Sequence, residues 1–186
     1  MKKLSIRLIG LFLICTGLTT TLNAQMTVQV GGEAMYPMKD IVDNAVHSKD
    51  HTTLVAAVKA AGLVETLKSK GPFTVFAPVN DAFENLPKGT VENLLKKENL
   101  AQLRKVLTYH VVSGKWDFDA LKKLIKKGNG TAKIKTVSGG YLWAMMNGAH
   151  NIMLKDENGR MANISVYDVY QSNGVIHVVD TVLLPK

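Results

Sequence analysis

Beyond residue 24 the chain has no cysteine; its single one is Cys15. That excludes a disulfide framework, a Cys-x-x-Cys redox pair and a cysteine nucleophile from everything downstream, so that part must be held by its own core. The sequence also lacks G-x-S-x-G, G-x-x-x-x-G-K-[ST] and H-E-x-x-H, the spacings that place a serine nucleophile, cradle phosphates or bind catalytic zinc. Aromatic residues make up only 6%. No internal repeat, low-complexity tract or linker is visible, and after the first residues no apolar run is long enough for a membrane span.

The first 24 residues read as a signal peptide. Lys2, Lys3 and Arg7 form a positive start, "LIGLFLICTGL" an apolar stretch, and Ala24 suits the position before a cut. Cleavage is expected between Ala24 and Gln25. Ile14 precedes Cys15 where a lipid-attachment signal needs a small residue. The leader takes three of the 23 basic residues and none of the 15 acidic ones, leaving +5. The expected protein is exported to the periplasm, cell surface or medium, with no transmembrane span after cleavage. Nucleic acid is not an expected partner there.

Residues 25–37 read as an N-terminal arm and 38–186 as one domain. Ile41, Val42, Ala45 and Val46 share a helical face. Asp50 is the expected N-cap of "HTTLVAAVKAAG" and Gly62 its stop, with Leu54, Val55 and Val58 on the buried face. "FTVFA" (73–77) reads as a strand, 90–108 as helical, and "TYHVV" as a helix running into a strand. In "DFDALKKLIKKGNG", Phe118, Leu121, Leu124 and Ile125 point inward and Lys122, Lys123, Lys126 and Lys127 outward. After residue 130 turn signals separate β-like segments. Helices first and strands after, with one early strand, predict an α+β fold.

Five histidines are the main candidates for chemistry. A helix break at Lys49-Asp50 separates His47 from His51, and His150 sits in a turn signal. His110 and His177 lie in apolar sequence, each in a strand or at its edge, and read as hydrogen-bonded core residues. Asp180 lies three residues from His177, on the opposite face of a strand. Met145 and Met146 likewise face opposite sides and read as core filler, as do Met153 and Met161. No catalytic residue, metal ligand set or cofactor is expected. The lysines of 122–127 form a solvated face able to contact an anionic surface. Trp116, Trp143, Tyr141, Tyr167 and Tyr170 are either sugar-stacking or core aromatics.

Three stretches in order resemble the fasciclin-like domain family. They are "FTVFAPVNDAFENLP" (73–87), "LTYHVVSGK" (107–115) and "SNGVIHVVDTVLLP" (172–185). The resemblance spans roughly 38–185. It implies a wedge of about seven strands in a sandwich-like arrangement with several helices packed at one end. It also implies that the boxes are architectural, through Phe76, Pro78, Asn80, Asp81 and Phe83 in the first and Asn173, Gly174, His177 and Asp180 in the second. Pro78 is expected to end its ladder. Asn80 or Asp81 is expected to cap the helix that follows, with Asp81 and Glu84 at capping-box spacing. Val79 stands where the family often has a hydroxyl residue.

Fasciclin-like domains are mostly adhesion and matrix modules, so the resemblance implies a non-catalytic adhesion or ligand-binding module. Its partner would be a cell-surface protein or polysaccharide. In animal members the Tyr-His motif is associated with integrin binding. That maps onto Tyr109 and His110 with Leu107, Val111 and Val112, and an Asp-Ile pair of similar reputation onto Asp168 and Val169. The leader is bacterial in type, so the animal partner is not carried over. The alternative the resemblance leaves open is a small-molecule protein, for instance one binding haem through histidine or methionine.

Overall fold

A computed structural model describes residues 27–186; the expected signal peptide and cleavage site lie outside them. The fold is α+β. A short hairpin, β1 (Val28–Val30) and β2 (Glu33–Met35), leads into helices α1 (Ile41–Ala45), α2 (Thr52–Ala60) and α3 (Val64–Lys68). Strand β3 (Phe73–Pro78) follows, then α4 (Asn80–Glu84), α5 (Thr90–Leu94), α6 (Leu100–Tyr109) and β4 (Val111–Ser113). Helix α7 (Phe118–Lys127) precedes β5 (Thr131–Lys135), β6 (Tyr141–Asn147), β7 (Asn151–Lys155), β8 (Met161–Gln171) and β9 (Gly174–Val179). One seven-stranded sheet runs β4-β3-β9-β8-β7-β6-β5. All its pairs are antiparallel except β3 with β9.

The long strand β8 makes this sheet sandwich-like. Its start pairs with β7 and its remainder with β9, and two register shifts, at Ile164/Val166 and Val166/Val169, break the second ladder. Such bulges bend and twist a strand. The bend brings the meander β5–β8 over one face of β3 and β9.

The central pair is therefore buried on both faces, which explains the near-continuous apolar runs of β3 and β9. Val75 and Ala77 join Ile176 and Val178 in a first core under α1, α2 and α6. Phe76 and Val179 join Leu142, Ile152, Leu154, Leu121 and Ile125 in a second core closed by α7. The residues expected as an arm are part of the first core: Val30 and Met35 are buried. The Asn44 side chain ties Tyr36 to α1, bonding its N–H and carbonyl and also the Gln171 amide of β8.

Two helix caps differ from expectation. Gly62 does stop α2: at φ +66° it lets its own N–H reach the Lys59 carbonyl and that of Leu63 the Val58 carbonyl. Asp50, however, lies in a 3-10 turn and gives α2 no cap. The cap comes from Asn80, 27 residues away, whose Oδ1 accepts from Thr53 N–H at 3.0 Å. Its Nδ2 donates to the Lys49 carbonyl at 2.8 Å. Helix α4 has Val79 at its N-cap position, so neither Asn80 nor Asp81 caps it, and it has no side-chain cap. Asp81 and Glu84 are exposed and make no capping box.

Candidate binding site

The polar residues of the second box bracket distant backbone. Asn173 Oδ1 accepts from Ile41 N–H at 3.0 Å, at the start of α1. Its Nδ2 donates to Leu67 and Ser69 carbonyls at 2.7 and 2.9 Å, at the end of α3. Gly174 stands where a Cβ would meet the Phe73 carbonyl oxygen at 2.1 Å, so the β3 approach requires glycine. Asp180 accepts from the Asn163 N–H at 2.8 Å and from its side chain at 3.0 Å.

Asp168 and Val169 lie on the bulged stretch of β8. Asp168 adopts φ +55°, and its Oδ1 accepts from Phe118 N–H at 2.8 Å, serving one orphan donor at the start of α7. Asp117 caps the same helix by accepting from Ala120 N–H. The Asp168 N–H points to His177 Nδ1 at 3.4 Å, while His177 Nε2–H donates to the Trp116 carbonyl at 2.7 Å. His177 is fully buried and stacks on Phe76 with ring centroids 5.7 Å apart. Burial holds its pKa below the ordinary histidine value despite the Trp116 carbonyl.

The Tyr-His pair is equally committed. Tyr109 is 0% exposed; its hydroxyl donates to the Tyr141 carbonyl at 2.6 Å and accepts from Glu157 N–H at 3.1 Å. Burial pushes its pKa up to about 12. His110 caps the end of α6. A carbonyl can only accept and an N–H only donate, so its tautomer is set. Nδ1–H donates to Val106 O at 2.9 Å, and Nε2 accepts from Leu183 N–H at 3.0 Å. Burial lowers its pKa to about 4. His51 is also buried and pushed down by burial. Its Nδ1 meets Ser48 Oγ at 2.9 Å, but Nε2 points towards the Ala77 carbonyl without hydrogen-bond geometry.

Leu107, His110 and Val111 nevertheless line an opening. An apolar cleft runs along the first core between α1, α2, α3 and the β3–β4 edge. Ile41, Leu54, Val75 and Ile176 lie on its floor, and the half-buried Val42, Val55, Val58, Leu63 and Leu67 on its sides. It totals about 870 Å³ with its open mouth, yet is narrow, its walls leaving little room between them. Tyr109, Val112, Asp168 and Val169 are not on its walls. Sequence reading placed Val55 and Val58 in the core and so missed the cleft. The available signal was the unbroken apolar run Leu54–Val58, wider than one buried stripe needs.

Among the described residues, no group of three or more His, Cys, Asp or Glu side chains is placed to hold a metal ion. No helix among them is long and apolar enough to cross a membrane. Lys122, Lys123, Lys126 and Lys127 are exposed on α7.

This architecture agrees with the comparisons to known proteins. The fasciclin domain model matches residues 49–185, and the chain belongs to that family. It is 46% identical over 147 residues to Protein sll1483 of Synechocystis sp., covering 78% of this chain and 73% of that protein. It is 33% identical over 150 residues to transforming growth factor-beta-induced protein ig-h3 of Sus scrofa, covering 80% of this chain but 20% of that protein. Immunogenic protein MPB70 of Mycobacterium bovis is 33% identical over 146 residues, with 76% of this chain and 66% of that protein covered. A solved FAS1 domain pair from the insect cell adhesion molecule fasciclin I has the same fold, with TM-score 0.56 and 22% identity over 70% of this chain and 45% of that one.

Proposed function

We propose that this protein is an exported, non-catalytic binding module of the adhesion class, acting at the cell surface, in the periplasm or outside the cell. The observation that carries the reading is the commitment of its chemically capable side chains. His110 and His177 spend both ring nitrogens on backbone partners, and Asp168 and Asp180 accept backbone N–H groups. A general base needs a free nitrogen or oxygen within reach of substrate. Kinship with a domain pair from a cell adhesion molecule supports the adhesion class. Because Tyr109 and His110 are buried, their part in binding would be to position the surface above them, not to touch a partner.

The macromolecular partner would be a cell-surface protein or polysaccharide, met in part through Lys122, Lys123, Lys126 and Lys127. Binding of envelope material to immobilised protein should fall as salt rises. It should lose that dependence when the four lysines become glutamine. Unchanged binding and salt response in that variant would remove the basic face from the proposal. Turnover of an ester or glycoside panel, abolished by a point mutation, would overturn the non-catalytic reading.

The second reading, a small-molecule site, is favoured by the cleft itself. Haem is poorly suited to it. His110 is the one histidine on its walls, and the Leu183 N–H already occupies its Nε2.

A further inference from the structure

We infer that the cleft seats an unbranched long-chain carboxylate, its alkyl chain along the helices and its head group at Lys59. The inference rests on the small-molecule reading above and names the ligand class.

Three features point there. The walls are apolar almost throughout, and a site without polar anchors gains affinity only by removing ligand surface from water. The space is long in its lining, from Ile41 and Val42 on α1 to Val111 at the start of β4 and Val137, which bonds to it, but narrow in section. A single alkyl chain fits such a slot; a broad, rigid ring system does not. Finally, Lys59 is the one charged residue of the lining among the described residues; it is exposed, at the rim, in the last turn of α2. At α1 and α3 the neighbouring cation Lys68 is already paired with Asp40 and Asp43. Lys59 has no such carboxylate partner among the described residues. An apolar slot with one unpaired cation at its mouth is complementary to a chain with one anionic end.

The test is displacement of an uncharged fluorescent naphthylamine from the protein by saturated fatty acids of eight to sixteen carbons. Affinity should tighten about fourfold per added methylene until the slot is full, the increment for burying one CH₂ group. The free acid should bind about threefold to tenfold more tightly than its methyl ester at low salt, and Lys59→Glu should erase that preference without weakening the ester. Val58→Trp, which fills the slot, should abolish dye and acid binding alike. Lys59→Glu alters an exposed side chain, so it still reads the head-group contact should Val58→Trp fail to fold. Dye binding that no fatty acid displaces, or acid and ester binding equally, overturns the carboxylate inference and leaves the cleft as a site. No dye binding to the wild type overturns both.

Discussion

On the meander side of the sheet, Leu121, Leu142, Ile152 and Leu154 are each 0% exposed, and α7 closes the layer. On the helical side, Val42, Val55, Val58, Leu63 and Leu67 stay half-buried around a cleft. The two sides share β3 and β9 and are built from similar residues, yet one is sealed and the other is not. A single ten-residue amphipathic helix covers the sealed side. The open side is roofed by α1 and α3 of five residues each and α2 of nine, too short to interlock along their length. Where short helices meet at turns, gaps remain between their ridges. One side of the shared strands is thus a sealed layer, and the other keeps an open cleft.

The sharpest way to break this comparison is a pair of truncations. Leu154→Ala should cost about 2–5 kcal/mol, because it removes a fully buried side chain and leaves a cavity in a sealed layer. Val58→Ala should cost under about 1 kcal/mol, since its side chain already borders open space. Urea unfolding of both variants measures this. Equal losses would mean that the cleft closes in solution.

Acid sharpens it next. Burial lowers His110 from the ordinary value near 6.5 to about 4. Between those pH values the unfolded chain holds the extra proton and the folded chain does not, so stability falls as pH drops. It is fully present above about pH 6.5. For His110 alone the loss by pH 4 is on the order of 3 kcal/mol. Burial pushes His51 and His177 in the same direction and adds to the slope. A chemical-denaturation series from pH 7 to 4 checks it, and His110→Gln should flatten the curve. A flat wild-type profile would mean that water reaches these rings.

The histidines also distinguish the two sides. His177 on the sealed side bonds through both nitrogens, whereas His51 on the open side has an unpartnered Nε2. His177→Ala should cost about 1–3 kcal/mol by orphaning the Trp116 carbonyl and the Asp168 N–H. His51→Leu should cost less, because only the Ser48 hydroxyl loses a partner. Calorimetric melting of the two variants orders them, and a larger loss at His51 would reverse the assignment.

What the sequence shows of this molecule follows from the range of the interactions. Helix α7 is legible because the alternation of its inward apolar residues and outward lysines is complete within ten residues. The buried positions of His110 and His177 are legible because apolar neighbours surround each in the chain. The cap of α2 is not, because Asn80 reaches it from the far side of β3; the local rule chose Asp50 and was wrong. Nor is the inclusion of the β1–β2 hairpin in the first core, which depends on Asn44 and Gln171 meeting in space. The cleft is the least legible feature. It is a defect of packing between helices, and local patterns report what a helix buries, not what its neighbours leave uncovered.

Asn80 gives a small effect and the most direct test of whether the two sides act independently. Its amide holds the start of α2 by accepting from Thr53 N–H and the Thr52 hydroxyl while donating to the Lys49 carbonyl. Asn80→Ala removes all three bonds and should cost about 1 kcal/mol, the usual worth of a helix cap. Asn80→Asp keeps the acceptor and should cost less. Helix α2 walls the cleft but does not touch the second core. Hydrogen exchange in Asn80→Ala should therefore quicken at the α2 amides, while the β6–β7 amides change only with global stability. If the α2 and β6–β7 amides quicken together by the same factor, the molecule opens as one unit. The sealed side would then give the cleft no separate foundation.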